Sequence, residues 1–352
     1  MKKSLTLFIV ALMGFAAQAK VYRVNNNPGT GANFTSFQTA HDSCHAGDTL
    51  YVEGTTISYG VVTISKKINV IGPGFFLGQN PQTQVNPTSA LFTQMNCNTG
   101  SDGTYLTGLD IMFLKVNSGV NNLVIKRNYI GCPSCNPGDG VHGSMALYGS
   151  NANILIIQNY IVDGQGSGEA AITLAAGCSN VTISNNYVQG NGGGYAVIHV
   201  DVAASAVVTN NIFVANQNAY LIINNSPVNN NIVIFNSGST SPTTGSGCSY
   251  QNNFSNSNTT FDTTGGNPNH NHDGVLPATL FVNSGSSDGM YKLKAGSPAI
   301  GAGISGEDCG IFGGLDPYVL SGIPTVPSIY FFAAPTSGSG TLPVHVKIKS
   351  NK

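Results

Sequence analysis

Residues 179–191 read SNVTISNNYVQGN, and the chain keeps returning to this phrase. ANILIIQNYIVDG stands at 152–164 and NNLVIKRNYIG at 121–131, with looser copies at 205–215 (SAVVTNNIFVA) and 227–236 (PVNNNIVIFN). Each copy has a β-branched run, a polar pair ending in Asn, and two apolar residues. Anchored on Asn128, Asn159, Asn186, Asn211 and Asn231, the spacings are 31, 27, 25 and 20 residues. A period of about 20–30 residues with drifting length describes a solenoid whose loops vary and whose strands do not. Within each copy the alternation has period two, as with Val181 and Ile183 in NVTIS, which is strand rather than helix. No helical stretch separates the strands, so βαβ units are excluded. The expected fold is therefore all-β: a parallel β-helix in which every coil offers the same cross-section to its neighbours. Val, Ile and Leu point inward. The anchor Asn is expected at the turn, where Asn tolerates a left-handed backbone and stacks in hydrogen-bonded rows.

Working outward, residues 1–19 read as a secretory signal peptide: Lys2 and Lys3, an apolar run, and the small-residue site AQA ending at Ala19. No other apolar stretch approaches about 18 residues, so no membrane span is expected and the chain is placed outside the cell or on its surface. At the start of the mature chain, Phe34, Phe37 and Ala40 have helical spacing and predict a short cap helix over the open end of the core. Residues 20–320 are assigned to the β-helix with its cap. Residues 321–352 are assigned to a Pro-punctuated strap (DPYVLSGIPTVPSIY begins it at 316) and a C-terminal β-hairpin.

AGDTLYVEGT, VTISKKINVIGPG, the NVTISNNYV coils and the closing SPAIGAG and DCGIFGG together resemble secreted right-handed parallel β-helix proteins of the pectin-lyase-like superfamily, particularly uncharacterised exported versions from Bacteroidetes-type bacteria. The resemblance spans residues 20–320 and implies the fold. It leaves activity open, because lyases, hydrolases, esterases and adhesins share that architecture.

Charge narrows the partners. Only 8% of the 352 residues are charged. With Lys2 and Lys3 set aside, 12 Lys and Arg face 15 Asp and Glu. Between Arg127 and Lys292 there is no Lys or Arg, while seven acids lie there: Asp139, Asp163, Glu169, Asp201, Asp262, Asp273 and Asp288. A nucleic-acid groove needs clustered cations, so nucleic acid is excluded as a partner and a polysaccharide or cell-surface glycan of neutral character is favoured. Lyases of the resembled superfamily pair acidic calcium ligands with a Lys or Arg near the scissile uronate. Lys126 and Arg127 lie at the edge of the cation-free interval, with Arg127 within reach of the surface.

Chemistry has few candidate seats. Asp139 and His142 of GDGVHG, Asp163 of VDGQG and Glu169 form the best acidic constellation. Two carboxylates about 5–9 Å apart serve a glycosidase, and Asp163 with Glu169 offers oxygens to calcium. Against this stands the reading of all four as solvated turn residues, so whether the chain is an enzyme stays open. Aligning coils by Met145/Leu147, Ile172/Leu174 and Ile198/Val200 places Ala146, Thr173 and His199 in one outward column, and Tyr148, Ala175 and Asp201 in another, with coils about 4.8 Å apart. His199 and Asp201 are expected as a hydrogen-bonded surface pair. Tyr148, Tyr195 and Tyr220 read as packing residues or, alternatively, as a sugar-stacking track on the outer face, whereas Tyr129, Tyr160 and Tyr187 beside the anchors are expected to pack. HDSCH (41–45) and NHNHDG (269–274) have metal-like residues without a complete local ligand set. The seven cysteines include CPSC at 132–135, read as a loop staple or two free thiols rather than a redox motif.

Overall fold

The computed structural model describes residues 19–132, 143–163, 170–191, 196–216, 219–236, 245–261, 269–335 and 341–351. Among the described residues the chain is predominantly β, with two long parallel sheets and two short α-helices, Phe37–Ser43 and Pro277–Leu280. One sheet stacks ten strands from Val21–Val24 through Val124–Lys126, Leu155–Ile157 and Val181–Ser184 to Ser249–Gln251. The other has thirteen strands and divides at the long strand Asp110–Val116. The first half of that strand pairs with Tyr129–Gly131 and its second half with Met145–Leu147. From Tyr129–Gly131 a tyrosine branch continues through Tyr160–Val162, Tyr187–Gly190, Ile212–Ala215 and Ile232–Phe235 to Phe254–Ser255. From Met145–Leu147 a histidine branch continues through Ile172–Leu174, Ala196–Val200 and Tyr220–Ile222. From Val124–Lys126 to Tyr220–Ile222, successive segments visit the ten-stranded sheet, the tyrosine branch and the histidine branch in turn, so each of these circuits lays one strand on each. The parallel, in-register stacking agrees with a β-helical solenoid.

The inward columns are fully buried. Ile125, Ile156, Ile183 and Val208 stack on the ten-stranded sheet, Ile130, Ile161, Val188 and Phe213 on the tyrosine branch, and Met145, Ile172 and Ile198 on the histidine branch. β-Branched side chains suit this surface because their restricted rotamers pack against the same residue type one rung away. The register of Met145 on Ile172 on Ile198 is the one read from the sequence.

Buried asparagines close one corner of each coil from Asn128 onward. Asn128, Asn159, Asn186, Asn211 and Asn231 are joined by Asn253 and Asn271. Each Oδ1 from Asn159 onward accepts both the backbone N–H and the side-chain N–H of the preceding anchor, at 2.8–3.1 Å. Each Nδ2 also donates to a strand carbonyl, as Asn186 does to Ile156 O at 2.8 Å. The amide satisfies groups that the turn would otherwise leave buried and unpaired. The left-handed residue is the one before the anchor, not the anchor itself: Arg127, Gln158, Asn185, Asn210, Asn230, Asn252 and His270 have φ of 53–59°. The anchor must present its N–H and side chain along the stack, so the turn falls on its neighbour. At another corner Asn122, Asn153 and Asn180 are themselves left-handed and bond side chain to side chain.

The helix Phe37–Ser43 is capped by Ser36, whose Oγ accepts from Thr39 N–H at 3.3 Å. Phe37 and Ala40 face inward, and Phe37 meets Phe92 edge-on. Phe34 lies outside the helix, bridged to Val24. No helix among the described residues is long and apolar enough to cross a membrane.

The chain then turns back along the stack. Residues 302–323 run down the column of left-handed residues. Asn252 Nδ2 donates to Ala302 O, Asn210 Nδ2 to Asp308 O, Asn185 Nδ2 to Ile311 O and Gly313 O, and Gln158 Nε2 to Asp316 O and Pro317 O. Asn230 bonds Glu307 in the same series. Arg127 completes it, with Nε donating to Gln158 Oε1 at 2.7 Å and Nη1 to Ile323 O at 3.0 Å. Arg127 is thus buried, not surface-directed, and burial lowers its pKa. Lys126 meets Asp316 at 2.8 Å. This strap, with the segment before it, covers the outward face of the tyrosine branch. Tyr160, Tyr187, Ile212, Ile232 and Phe254 form a second apolar cluster with Leu280, Phe281, Ile311 and Tyr318. Beyond it, Ser328–Ala333 and His345–Lys349 pair antiparallel.

Candidate functional site

Of the acidic constellation, Asp139, His142 and Glu169 lie outside the described residues. Asp163 follows the strand Tyr160–Val162 and is buried at 3% exposure, so it is not a solvated turn acid. Its N–H donates to Gln189 O at 2.9 Å, and its carbonyl accepts from Asn191 Nδ2. Asn191 begins a further row of amides, since its Oδ1 accepts from Asn216 Nδ2 at 3.0 Å and Asn216 Oδ1 accepts from Asn236 Nδ2 at 2.8 Å. Asp163 therefore belongs to the seam between the two branches.

The histidine branch presents a different surface. An open cleft of about 510 Å³ lies on it, lined by Tyr148, Thr173, His199, Asp201, Tyr220 and Ile222 among others. Strand pairing makes Ala146, Thr173, His199 and Ile222 one outward column. Ala146 is buried, while Thr173 and His199 are half-buried. Tyr148 is at one end, 40% exposed, and Tyr220, half-buried, is at the other. Three rungs separate their strands, which is roughly 14 Å at a strand spacing of about 4.8 Å. Small residues make the floor: Ala170, Ala175 and Ala196 leave room between the rings. A register shift between Ala196 and Ile198 inserts Val197 inward and places Tyr220 opposite Ala196.

His199 and Asp201 do not form the expected pair. Asp201 Oδ1 accepts from Ala203 N–H at 2.9 Å, closing its own turn, and no hydrogen bond joins it to the imidazole. His199 is left facing the cleft as a polar ring. Tyr195 lies outside the described residues, so Tyr148 and Tyr220 alone are placed from that track. The other tyrosines do pack: Tyr129 stacks on Tyr160 at 5.7 Å, Tyr160 on Tyr187 at 4.3 Å, and the Tyr187 hydroxyl meets that of Tyr291 at 2.9 Å. Burial pushes the Tyr129 phenol up to about 12 and that of Tyr187 well above its usual range.

The metal-like motifs are structural where described. His41 is buried, its Nε2 accepts Ser65 N–H at 3.2 Å, and Nδ1 therefore carries the proton shared with Asp42 Oδ1 at 2.9 Å. His45 points to solvent. His272 stacks on Phe254 at 4.4 Å. Among the described residues no three His, Cys, Asp or Glu converge as a metal site. Cys132 is disulfide-bonded, while Cys44, Cys97, Cys178, Cys248 and Cys309 are free thiols. Burial raises the pKa of Cys97 and Cys309 to about 12, which leaves them inert.

One acid escaped the reading of the sequence. Asp110 opens the strand Asp110–Val116, and Ser89 Oγ donates to its Oδ2 at 2.8 Å. Burial lifts its pKa to about 6. It sits at a second pocket, of about 400 Å³, beside Phe76 and Tyr129. A single Asp before IMFLKV has no period or motif to mark it.

No protein-family model, curated protein or solved structure matches the chain.

Proposed function

We propose that the chain is an exported, extracellular or surface-displayed scaffold, a right-handed parallel β-helix of the pectin-lyase-like kind, that binds neutral carbohydrate on its histidine branch. The hand follows from the strong preference of parallel crossovers for right-handed connection. The observation that carries the binding reading is the open cleft with tyrosines at both ends and the half-buried Thr173 and His199 between them. Phenol rings supply flat apolar faces with a polar tip, and the hydroxyl and imidazole supply hydrogen-bond partners for sugar hydroxyls. The absence of Lys and Arg from residue 128 to 291 disfavours a polyanionic chain.

A calcium-assisted glycoside hydrolase or polysaccharide lyase using Asp139, His142, Asp163 and Glu169 is the second reading. Its support is the buried position of Asp163, because a buried acid is held for a structural or chemical reason. With Lys126 and Arg127 both engaged by the strap, the hydrolase is favoured over the lyase.

An array of neutral polysaccharides beside polygalacturonate, run in chelator and in calcium, separates the readings. The scaffold binds a neutral glycan equally in both and ignores polygalacturonate in chelator. Tight polygalacturonate binding in chelator, or no neutral binding at all, overturns it. Calcium-dependent release of reducing ends points to the enzyme.

A further inference from the structure

The pocket beside Asp110 is separate from the cleft, being built on the tyrosine branch from the segment 75–89 and the starts of the strands Asp110–Val116 and Tyr129–Gly131. Its chemistry is unlike that of the cleft. Asp110 brings a carboxylate to a wall made by Phe75, Phe76, Pro87 and Tyr129. Ser89 satisfies Oδ2, whereas Oδ1 takes no hydrogen bond from any described residue. No Lys, Arg or His among the described residues pairs with it: the carboxylates they meet are Glu53 for Arg23, Asp42 for His41, Asp48 for His45 and Asp316 for Lys126. Asp110 is half-buried, and its free oxygen opens on the pocket, where a cationic group has room beside it.

A second observation comes from the wall. Phe76 has φ of 49°, the left-handed region that a bulky residue rarely occupies. That turn sets its ring edge-on against Tyr129 at 5.7 Å and Tyr160 at 5.1 Å. The ring remains half-exposed at the pocket. Backbone strain held in place at a cavity wall points to a positioned group rather than to filler.

We propose that this pocket binds a small organic ammonium ion, with Asp110 as its counter-charge and the rings of Phe76 and Tyr129 as the surface for its alkyl groups. A metal cation is a poor occupant, because hard cations take six or more oxygen ligands and the pocket offers one carboxylate beside aromatic carbon. An ammonium group with methyl or methylene substituents uses both features at once, since the ring faces attract the cation and the carboxylate neutralises it. A neutral sugar needs no counter-charge, and the pocket lies apart from the cleft, so this site is independent of the carbohydrate reading.

Choline and its uncharged carbon isostere 3,3-dimethylbutan-1-ol test the proposal, titrated calorimetrically into the full chain at pH 7.5. Choline is expected to bind about tenfold or more tightly than the alcohol, the range of a partly desolvated cation–π and ion contact. Asp110→Asn preserves shape and the Ser89 bond and is expected to bring the two ligands within about twofold of each other. Phe76→Leu, which keeps bulk but removes the ring, is expected to weaken choline more than the alcohol. Unchanged circular dichroism of both variants shows that the site, not the fold, was altered. Equal binding of choline and the alcohol by the wild type, no binding of either, or full choline affinity in a folded Asp110→Asn variant would each overturn it.

Discussion

The two branches of the thirteen-stranded sheet arise from one strand, yet they end up in opposite environments. Outward residues of the tyrosine branch are Tyr160, Val162, Tyr187, Ile212, Val214, Ile232 and Ile234, and the strap and the segment before it bury them. Outward residues of the histidine branch are Ala146, Thr173, His199 and Ile222; Ala146 is buried, and an open cleft lies over the other three. Both faces present the same backbone and the same rung spacing. What differs is whether the outward column can drive a second layer onto itself. Large apolar side chains at about 25 cal/mol per Å² recruit the returning chain, whereas Ala, Thr and His do not. A solenoid that must keep one face for a ligand can do so by denying it the apolar column that would cover it.

The largest way to break this comparison is through the corner both branches depend on. Asn186→Ala removes the acceptor of Asn159 N–H and the donor to Ile156 O and Asn211 Oδ1, all buried. With about 1–3 kcal/mol for each buried group left unpaired, a loss of about 3 kcal/mol or more is expected in urea denaturation. A loss under about 1 kcal/mol would mean that the amide row is decoration.

The strap should yield to a smaller change. Gly322 has φ of 54°, and a β-carbon there would fall 2.2 Å from Phe75 Cε1 and 2.5 Å from Arg127 O. Gly322→Ala is expected to cost about 2 kcal/mol and to open 302–323 to limited proteolysis while the parallel core stays resistant. Equal protection in variant and wild type would show that the strap adds little.

Asp110 sharpens the comparison by pH. Its folded pKa of about 6 lies above its ordinary 3.8, so folding favours the protonated acid. Its ionisation penalty is absent below about pH 4, grows between 4 and 6, and is complete above. Asp110→Asn should therefore stabilise the chain by about 1–3 kcal/mol at pH 7.5 and change nothing at pH 3.5. The same gain at both pH values would contradict the burial argument. Smallest in stability are Tyr148→Ala and Tyr220→Ala, expected within about 0.5 kcal/mol of wild type because the rings edge an open cleft. Binding of a neutral glycan by these variants should nonetheless fall about tenfold or more.

How far these contrasts can be read from residues alone depends on the distance over which they act. The anchors Asn128 to Asn231 stand out because each follows a β-branched run, and the register Met145–Ile172–Ile198 follows from period two. Asn253 and Asn271 carry no such mark, because their neighbouring strands shrink to Ser249–Gln251 and Phe254–Ser255, in Ser- and Asn-rich sequence that looks like loop. The left-handed residue precedes the anchor, where Arg, Gln, Asn and His all occur, so composition gives no cue to it and the anchor Asn draws the expectation instead. The burial of Arg127 was equally hidden: its partner Ile323 is 196 residues away and offers only a backbone carbonyl, which any residue would supply. The recurrence of Tyr148 and Tyr220 on separate coils is legible in the sequence, but the openness of the cleft between them depends on where the strap does not go.

Hydrogen exchange with and without a neutral glycan selected on the array tests that last point most directly. Slowed exchange is expected at 145–148, 172–175, 196–201 and 220–222, with the tyrosine branch and the strap at 302–323 unchanged. Protection confined to the strap or the tyrosine branch, with the histidine branch unaltered, would contradict it.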